Sequence, residues 1–194
     1  MALYLSIIFV CMIIISGFNL LFGVDIYGFS PLYAVLGVVI GTLIMIVIDA
    51  IIAIVVIKLP KKWFDPYNKV FTVSPKERAF YEKIKIRAWK DKVFAEIGFD
   101  KKTVKDTADN DYLYKFLIET GIAESMHFVS IFLGYVIIFI FPLEYIWCFS
   151  FPIASVNAFL QLLPVFIQRY NRPKLLKLYE RNKKLAERAA RKTA

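Results

Sequence analysis

Residues 116–128 read Phe-Leu-Ile-Glu-Thr-Gly-Ile-Ala-Glu-Ser-Met-His-Phe and hold Glu119, Glu124 and the only histidine in the chain, His127. Glu124 and His127 are three residues apart, which makes them neighbours on a helix. With Glu119 at 0° on a helical wheel, His127 falls at ~80° and Glu124 at ~140°, so the imidazole lies between the carboxylates. Three kinds of behaviour fit these residue types. A neutral imidazole can take a proton from an attacking hydroxyl while a carboxylate orients it. Glu-x-x-His is also half of a metal site of the kind found in di-iron bundles. One histidine cannot complete such a pair in a monomer, and a mononuclear site needs Glu119, Glu124 and Asp49 to converge on His127. The third behaviour is non-catalytic, with polar helix ends that only pack inside a membrane scaffold. No G-x-S-x-G, Walker or dinucleotide-binding pattern accompanies the cluster.

The elements that must carry this cluster are set by hydropathy. The 194 residues are 59% hydrophobic with a mean hydropathy of +0.59, too apolar for an ordinary soluble domain. A helix needs about 20 apolar residues to cross a bilayer core. Residues 2–22 and 32–57 satisfy this, and two more spans fall at roughly 127–141 and 145–167, the third beginning as a helix near Asp111. All 25 lysines and arginines lie within 58–115 and 169–192. By the positive-inside rule both blocks are cytoplasmic, as are both termini. The expected fold is an all-α integral membrane protein of the cell membrane with four transmembrane helices. It has a helical cytoplasmic insertion between helices 2 and 3 and a basic C-terminal helix. The organisation is then 1–58, transmembrane helices 1 and 2; 59–110, the cytoplasmic segment; 111–170, helices 3 and 4; and 171–194, the basic tail. The first span lacks a basic n-region and a small-residue cleavage site, so it reads as a retained helix rather than a signal peptide. Cys11 and Cys148 sit inside spans and read as packing residues. The net charge of +9 suits anionic headgroups or a phosphorylated ligand, and no nucleic-acid motif accompanies it.

Along the chain, Gly37-x-x-x-Gly41 in the second span allows another helix to approach closely. Asp49 lies ~12 Å inside that span's inner end, a depth at which an ionisable group faces protein or a wet cavity. Ser74-Pro75-Lys76-Glu77 is a helix start with a capping box. In the helix that follows, Phe80, Ile84 and Ala88 share one face, while Ile86, Trp89, Val93 and Ile97 share the opposite one. This implies a break near Ile86 or contact on two sides. The helix ends at Gly98, a polar loop starts at Asp100, and Asp109 or Asn110 caps the next helix. The fourth span carries Pro152 and Pro164, which predict kinks, and a stripe of Asn157, Gln161 and Gln168 within ~40°, with Asn171 nearby. Those amides either bond between helices or line one polar pocket with His127 and Asp49.

Three blocks carry a resemblance. They are Phe80-Tyr81-Glu82-Lys83-Ile84-Lys85-Ile86-Arg87-Ala88-Trp89-Lys90-Asp91; Phe116-Leu117-Ile118-Glu119-Thr120 with Ala123-Glu124 and His127; and Gln168-Arg169-Tyr170-Asn171-Arg172-Pro173-Lys174. In this order and spacing, roughly over 59–175, the chain resembles the glycosyl-4,4'-diaponeurosporenoate acyltransferase family. The family pattern has Arg where this chain has Ile122 and Trp where it has Phe128. The resemblance implies a bacterial membrane acyltransferase, whose named member esterifies the sugar of a glycosylated carotenoid in staphyloxanthin synthesis. It implies transfer of a fatty acyl group, from acyl-CoA or another acyl carrier, to a hydroxyl of a glycolipid or sugar-linked isoprenoid at the cytoplasmic interface. His127 is then the acid/base, with Glu124 and Glu119 orienting it or binding the acceptor. Asp49, Asn157, Gln161 and Asn171 line the polar pocket, Arg169 and Arg172 hold a phosphate or carboxylate, and Trp89 and Lys90 close the site. The partners are membrane lipid, donor and acceptor, without nucleic acid, and the reading has no cofactor and no metal. The alternatives are a metal-binding membrane lipid enzyme or a non-enzymatic scaffold.

Overall fold

The computed structural model describes residues 2–93 and 106–193, and every element in them is helical. Four helices are long and apolar enough to cross a bilayer, at Tyr4–Tyr27, Pro31–Ile57, Asn110–Phe139 and Ser150–Lys192. The chain divides into two compact units, Met1–Ile57 with Met126–Leu163, and Lys58–Ser125 with Pro164–Ala194.

In the first unit, α1 (Ala2–Phe18) passes through a π-helical turn at Asn19–Gly23 into α2 (Val24–Tyr27). Asn19 is fully buried, and its Nδ2 donates to Cys148 O at 2.9 Å, which anchors the turn. Gly28 then takes φ +69°, a left-handed conformation open to glycine at no steric cost, and ends α2. The long α3 (Pro31–Ile57) follows. The later part of α6 (Asn110–Leu133), 3₁₀ turns at Gly134–Phe139 and Leu143–Tyr145, and the start of α7 (Ser150–Thr193) complete the unit. Phe29, Ala34, Val38, Met45, Ile137 and Phe149 lead its core. Outside it, large apolar side chains stay uncovered, Phe139 at 81% exposure among them. That is costly in water and expected against lipid tails.

The glycine pair of α3 is a packing device. A Cβ on Gly37 would stand 2.5 Å from Phe149 Cε1, and one on Gly41 would stand 2.6 Å from Ile153 Cδ1. Phe149 has no exposed surface into which to retreat. Gly37→Ala is therefore expected to destabilise by about 1–3 kcal/mol through overpacking. Gly17→Ala, where a Cβ meets nothing within 4 Å, should be neutral or stabilising. Thermal unfolding of the two variants side by side checks this.

The second unit starts with 3₁₀ turns at Lys61–Phe64 and Lys69–Phe71. Helices α4 (Pro75–Lys83) and α5 (Ile86–Val93) follow. Ser74 Oγ accepts from Glu77 N at 3.1 Å, as the capping pattern requires. The two opposed apolar faces are resolved by a break. Ile84 and Lys85 lie outside both helices, and Lys85 turns the chain with φ +52°. The expected helix end at Gly98 and the loop from Asp100 lie outside the described residues. Asp109 Oδ1 accepts from Asp111 N and Tyr112 N and caps α6. On α6, Leu113, Phe116, Leu117 and Thr120 form a buried stripe at helical spacing, and Glu124 continues it. Pro152 is the third residue of α7, where a missing amide costs no intrahelical bond. The same helix runs on through Pro164 and Pro173 to Thr193.

Candidate functional site

The first unit contains a polar network among apolar helices. Asp49 on α3 accepts from Gln161 Nε2 at 2.7 Å and from Asn157 Nδ2 at 3.3 Å, both on α7. Ser130 on α6, 2% exposed, interacts with the same carboxylate. Asn157 and Gln161 are four residues apart and so share one face of α7. His127 Nδ1 lies 2.5 Å from Gln161 Oε1. The bonding fixes the proton. Gln161 gives its amide hydrogen to Asp49, so its carbonyl oxygen faces the ring and can only accept. Nδ1 is therefore the donor, and in the neutral imidazole the lone pair falls on Nε2. Asp49, Gln161 and His127 form a carboxylate–amide–imidazole relay that holds one tautomer and one ring orientation.

Beside this relay, α1, α3 and α7 line a half-open cavity of ≈ 140 Å³. Ile8, Met12, Ile15, Met45 and Ile153 give it apolar walls, and Asp49, Asn157 and Gln161 form its polar end. Thr42 also lines it, with its hydroxyl turned back on Val38 O at 2.8 Å. Tyr4 closes against α7 by donating to Leu160 O at 3.1 Å.

The second unit holds a separate charged network. Glu124, 4% exposed, binds Arg169 Nη1 through Oε1 at 2.7 Å and Arg172 Nη2 through Oε2 at 3.0 Å. Arg169 also pairs with Glu77 through Nε and Nη2 and donates to the Val70 and Thr72 carbonyls at 3.1 Å each. Its five N–H donors are thereby engaged. Arg172 is 2% exposed, and its guanidinium lies 4.5 Å from the Phe71 ring centroid. These arginines brace the chain between Val70 and Glu77 against α6 and α7. The guanidinium of Arg169 beside Glu77 holds the Glu77 carboxyl below its ordinary range, and the Tyr81 hydroxyl, 2.5 Å away, adds to this. A lowered native value contributes stability that is present above the unfolded carboxylate pKa of about 4.3. That stability is lost as pH falls through the native value. Glu77→Gln should therefore lower stability at neutral pH and flatten the acid side of the unfolding profile, so that the variant and the parent converge as pH falls through the native Glu77 value. Unfolding curves from pH 3 to 7 test it.

The expected site residues thus fall into two groups. His127, Asp49, Asn157 and Gln161 belong to the first unit, and the last three touch one another. Glu119, Glu124, Arg169, Asn171, Arg172, Trp89 and Lys90 belong to the second. Glu119 is half-buried and makes no ion pair among the described residues. Trp89 Nε1 donates to Ile84 O at 3.1 Å, Lys90 lies 3.5 Å from Asp91, and Asn171 is half-buried on α7. Glu124 spends both oxygens on arginines, and the hydrogen-bond partner of the His127 Nδ1 is Gln161. Two participants went unnamed as site residues in the sequence reading, Ser130 and Glu77. Ser130 is three residues after His127 and shares its helix face, a signal that was available. Glu77 was visible only as a cap.

No curated protein and no solved structure gives a significant match to this chain. The profile of glycosyl-4,4'-diaponeurosporenoate acyltransferases matches residues 60–181, well over half of its length, across the blocks at 80–91, 116–127 and 168–174. The chain belongs to the glycosyl-4,4'-diaponeurosporenoate acyltransferase family.

Proposed function

We propose that the protein is a membrane acyltransferase that moves a fatty acyl group onto a hydroxyl of a glycolipid or sugar-linked isoprenoid, at the cytoplasmic face of the cell membrane. The observation that carries the reading is the Asp49–Gln161–His127 relay, in which Gln161 holds the imidazole and, with Asp49, lines an apolar cavity. Family membership supplies the reaction class. The confinement of lysine and arginine to two blocks supports the orientation.

In the proposed step, His127 Nε2 accepts the proton of the acceptor hydroxyl as its oxygen attacks the acyl carbonyl carbon. A C–O ester bond forms, and the bond between the carbonyl carbon and the carrier breaks. The imidazolium then returns its proton to the departing carrier. Gln161 holds the ring through Nδ1, and Asp49 holds Gln161, so the imidazole need not reorient between accepting and giving the proton. Asn157, bonded to Asp49, offers its carboxamide to substrate hydroxyls, while the Gln161 carboxamide is engaged by Asp49 and His127. Glu124, Arg169 and Arg172 serve as the brace of the second unit.

The direct test uses purified protein in lipid nanodiscs with a long-chain acyl-CoA and a glycolipid extract, followed by mass spectrometry. The expected result is a glycolipid heavier by one acyl group, formed only with protein present. No such product across a range of acyl-CoA chain lengths and glycolipid extracts would contradict the proposal.

A further inference from the structure

We propose that the cavity bounded by α1, α3 and α7 holds the lipid tail of the hydroxyl-bearing acceptor, and that Asp49 at its polar end filters that acceptor by charge. An alkyl chain with an uncharged, hydroxyl-bearing head enters. The same chain with an anionic head is turned away. The word acceptor rests on the acyl-transfer reading above, whereas the charge filter does not.

Shape gives the tail. From Gln161 to Ile153 the cavity runs eight residues along α7, about 12 Å at helical rise. Its far end, at Ile15, Thr42 and Ile153, presents no unbonded polar side chain among the described residues, because the Thr42 hydroxyl is spent on Val38 O. An alkyl chain fills such a slot, and its first polar group then lies at Asp49, Asn157 and Gln161.

Charge gives the head. The carboxylate of Asp49 accepts from Gln161 and Asn157, a pattern that leaves oxygen lone pairs for hydroxyl donors. The first unit, Met1–Ile57 with Met126–Leu163, contains no lysine and no arginine. His127 is its only basic side chain, and that ring is bonded to Gln161. A phosphate or carboxylate head placed at this end meets the Asp49 carboxyl group in a low-dielectric setting, with no lysine or arginine side chain of the unit to pair with it. A sugar or a simple alcohol meets acceptors and carboxamides instead.

Cys11 reports occupancy, because it lines the cavity while Cys148 is buried. The full chain in nanodiscs of neutral lipid is treated with N-ethylmaleimide, and alkylation of Cys11 is followed by mass spectrometry. The probes are octyl glucoside and octyl phosphate at matched membrane concentration. Octyl glucoside is expected to slow Cys11 alkylation at least about tenfold more than octyl phosphate does. In Asp49→Asn the difference between the two probes should narrow, because the carboxyl group is gone while the low-dielectric end remains. Equal protection by both probes in the unaltered chain would overturn the filter. Protection by neither, or a Cys11 that never reacts, would overturn the slot. The unaltered chain alone decides this if Asp49→Asn does not fold. Labelling needs no turnover, so its failure leaves acyl transfer standing, and normal labelling without any transfer would overturn only the reaction.

Discussion

Glu124→Ala should destabilise the protein by about 3–5 kcal/mol, the scale for removing one partner of a buried ion pair. Glu124 is the common acceptor of Arg169 and Arg172. Arg172 is 2% exposed and pairs with no second carboxylate among the described residues, so the variant buries a guanidinium that keeps its contact with the Phe71 ring but loses its carboxylate. Arg169 retains Glu77 and the carbonyls of Val70 and Thr72, so the loss concentrates on Arg172. Glu124→Gln should cost less, since an amide oxygen still accepts one of the two arginines. Phe71→Leu should cost about 0.5–2 kcal/mol from the lost cation–π contact, in addition to the lost ring volume. Unfolding followed by circular dichroism in one detergent ranks the three. A Glu124→Ala protein that unfolds like the parent would refute the brace.

His127→Ala should lower the acyl-transfer rate by about 10²–10⁴, the usual contribution of general acid–base catalysis, and leave unfolding nearly unchanged. The side chain is half-buried, and its removal leaves Gln161 still bonded to Asp49 and close to Asn157. Glu124→Ala and His127→Ala therefore make opposite predictions, although the two residues lie three apart on one helix. The first is read in stability and the second in rate. Gln161→Leu should lower the rate at least about tenfold, because it removes the group that holds the Nδ1 proton and leaves Asp49 with one donor fewer.

The spans, the Ser74 cap, the capping of α6 by Asp109 and the break before Ile86 were legible because each is a local signal. Runs of apolar residues, a Ser-Pro pair and two opposed stripes act within a few residues of where they are written. The amide stripe was legible for the same reason, and Asp49 drew attention by its depth. What faces a residue from another helix is not written locally. Glu124 was placed on its own wheel beside His127, yet the wheel does not show Arg169 and Arg172. The informative clue was that Glu124 continues the stripe of Leu113, Leu117 and Thr120, so a carboxylate on a core face needs a buried cation. Arg169 and Arg172 were expected to hold a substrate anion, and charge and spacing alone cannot separate an internal carboxylate from a ligand. Glu77 likewise fitted the capping box fully, which concealed its bond to Arg169. Pro152 and Pro164 marked expected kinks, but Pro152 falls in the first turn of α7 and the helix continues through Pro164.

The most direct test of the account is a double-mutant cycle on transfer rate for His127→Ala and Gln161→Leu, in nanodiscs, normalised to folded protein. If Gln161 acts only by holding the imidazole, its replacement costs nothing further once the imidazole is gone. The double variant should then match His127→Ala, with each measured loss at or above tenfold for Gln161→Leu and about 10²–10⁴ for His127→Ala. A His127→Ala protein that transfers acyl groups at the parent rate, or losses that multiply in the double variant, would contradict the relay.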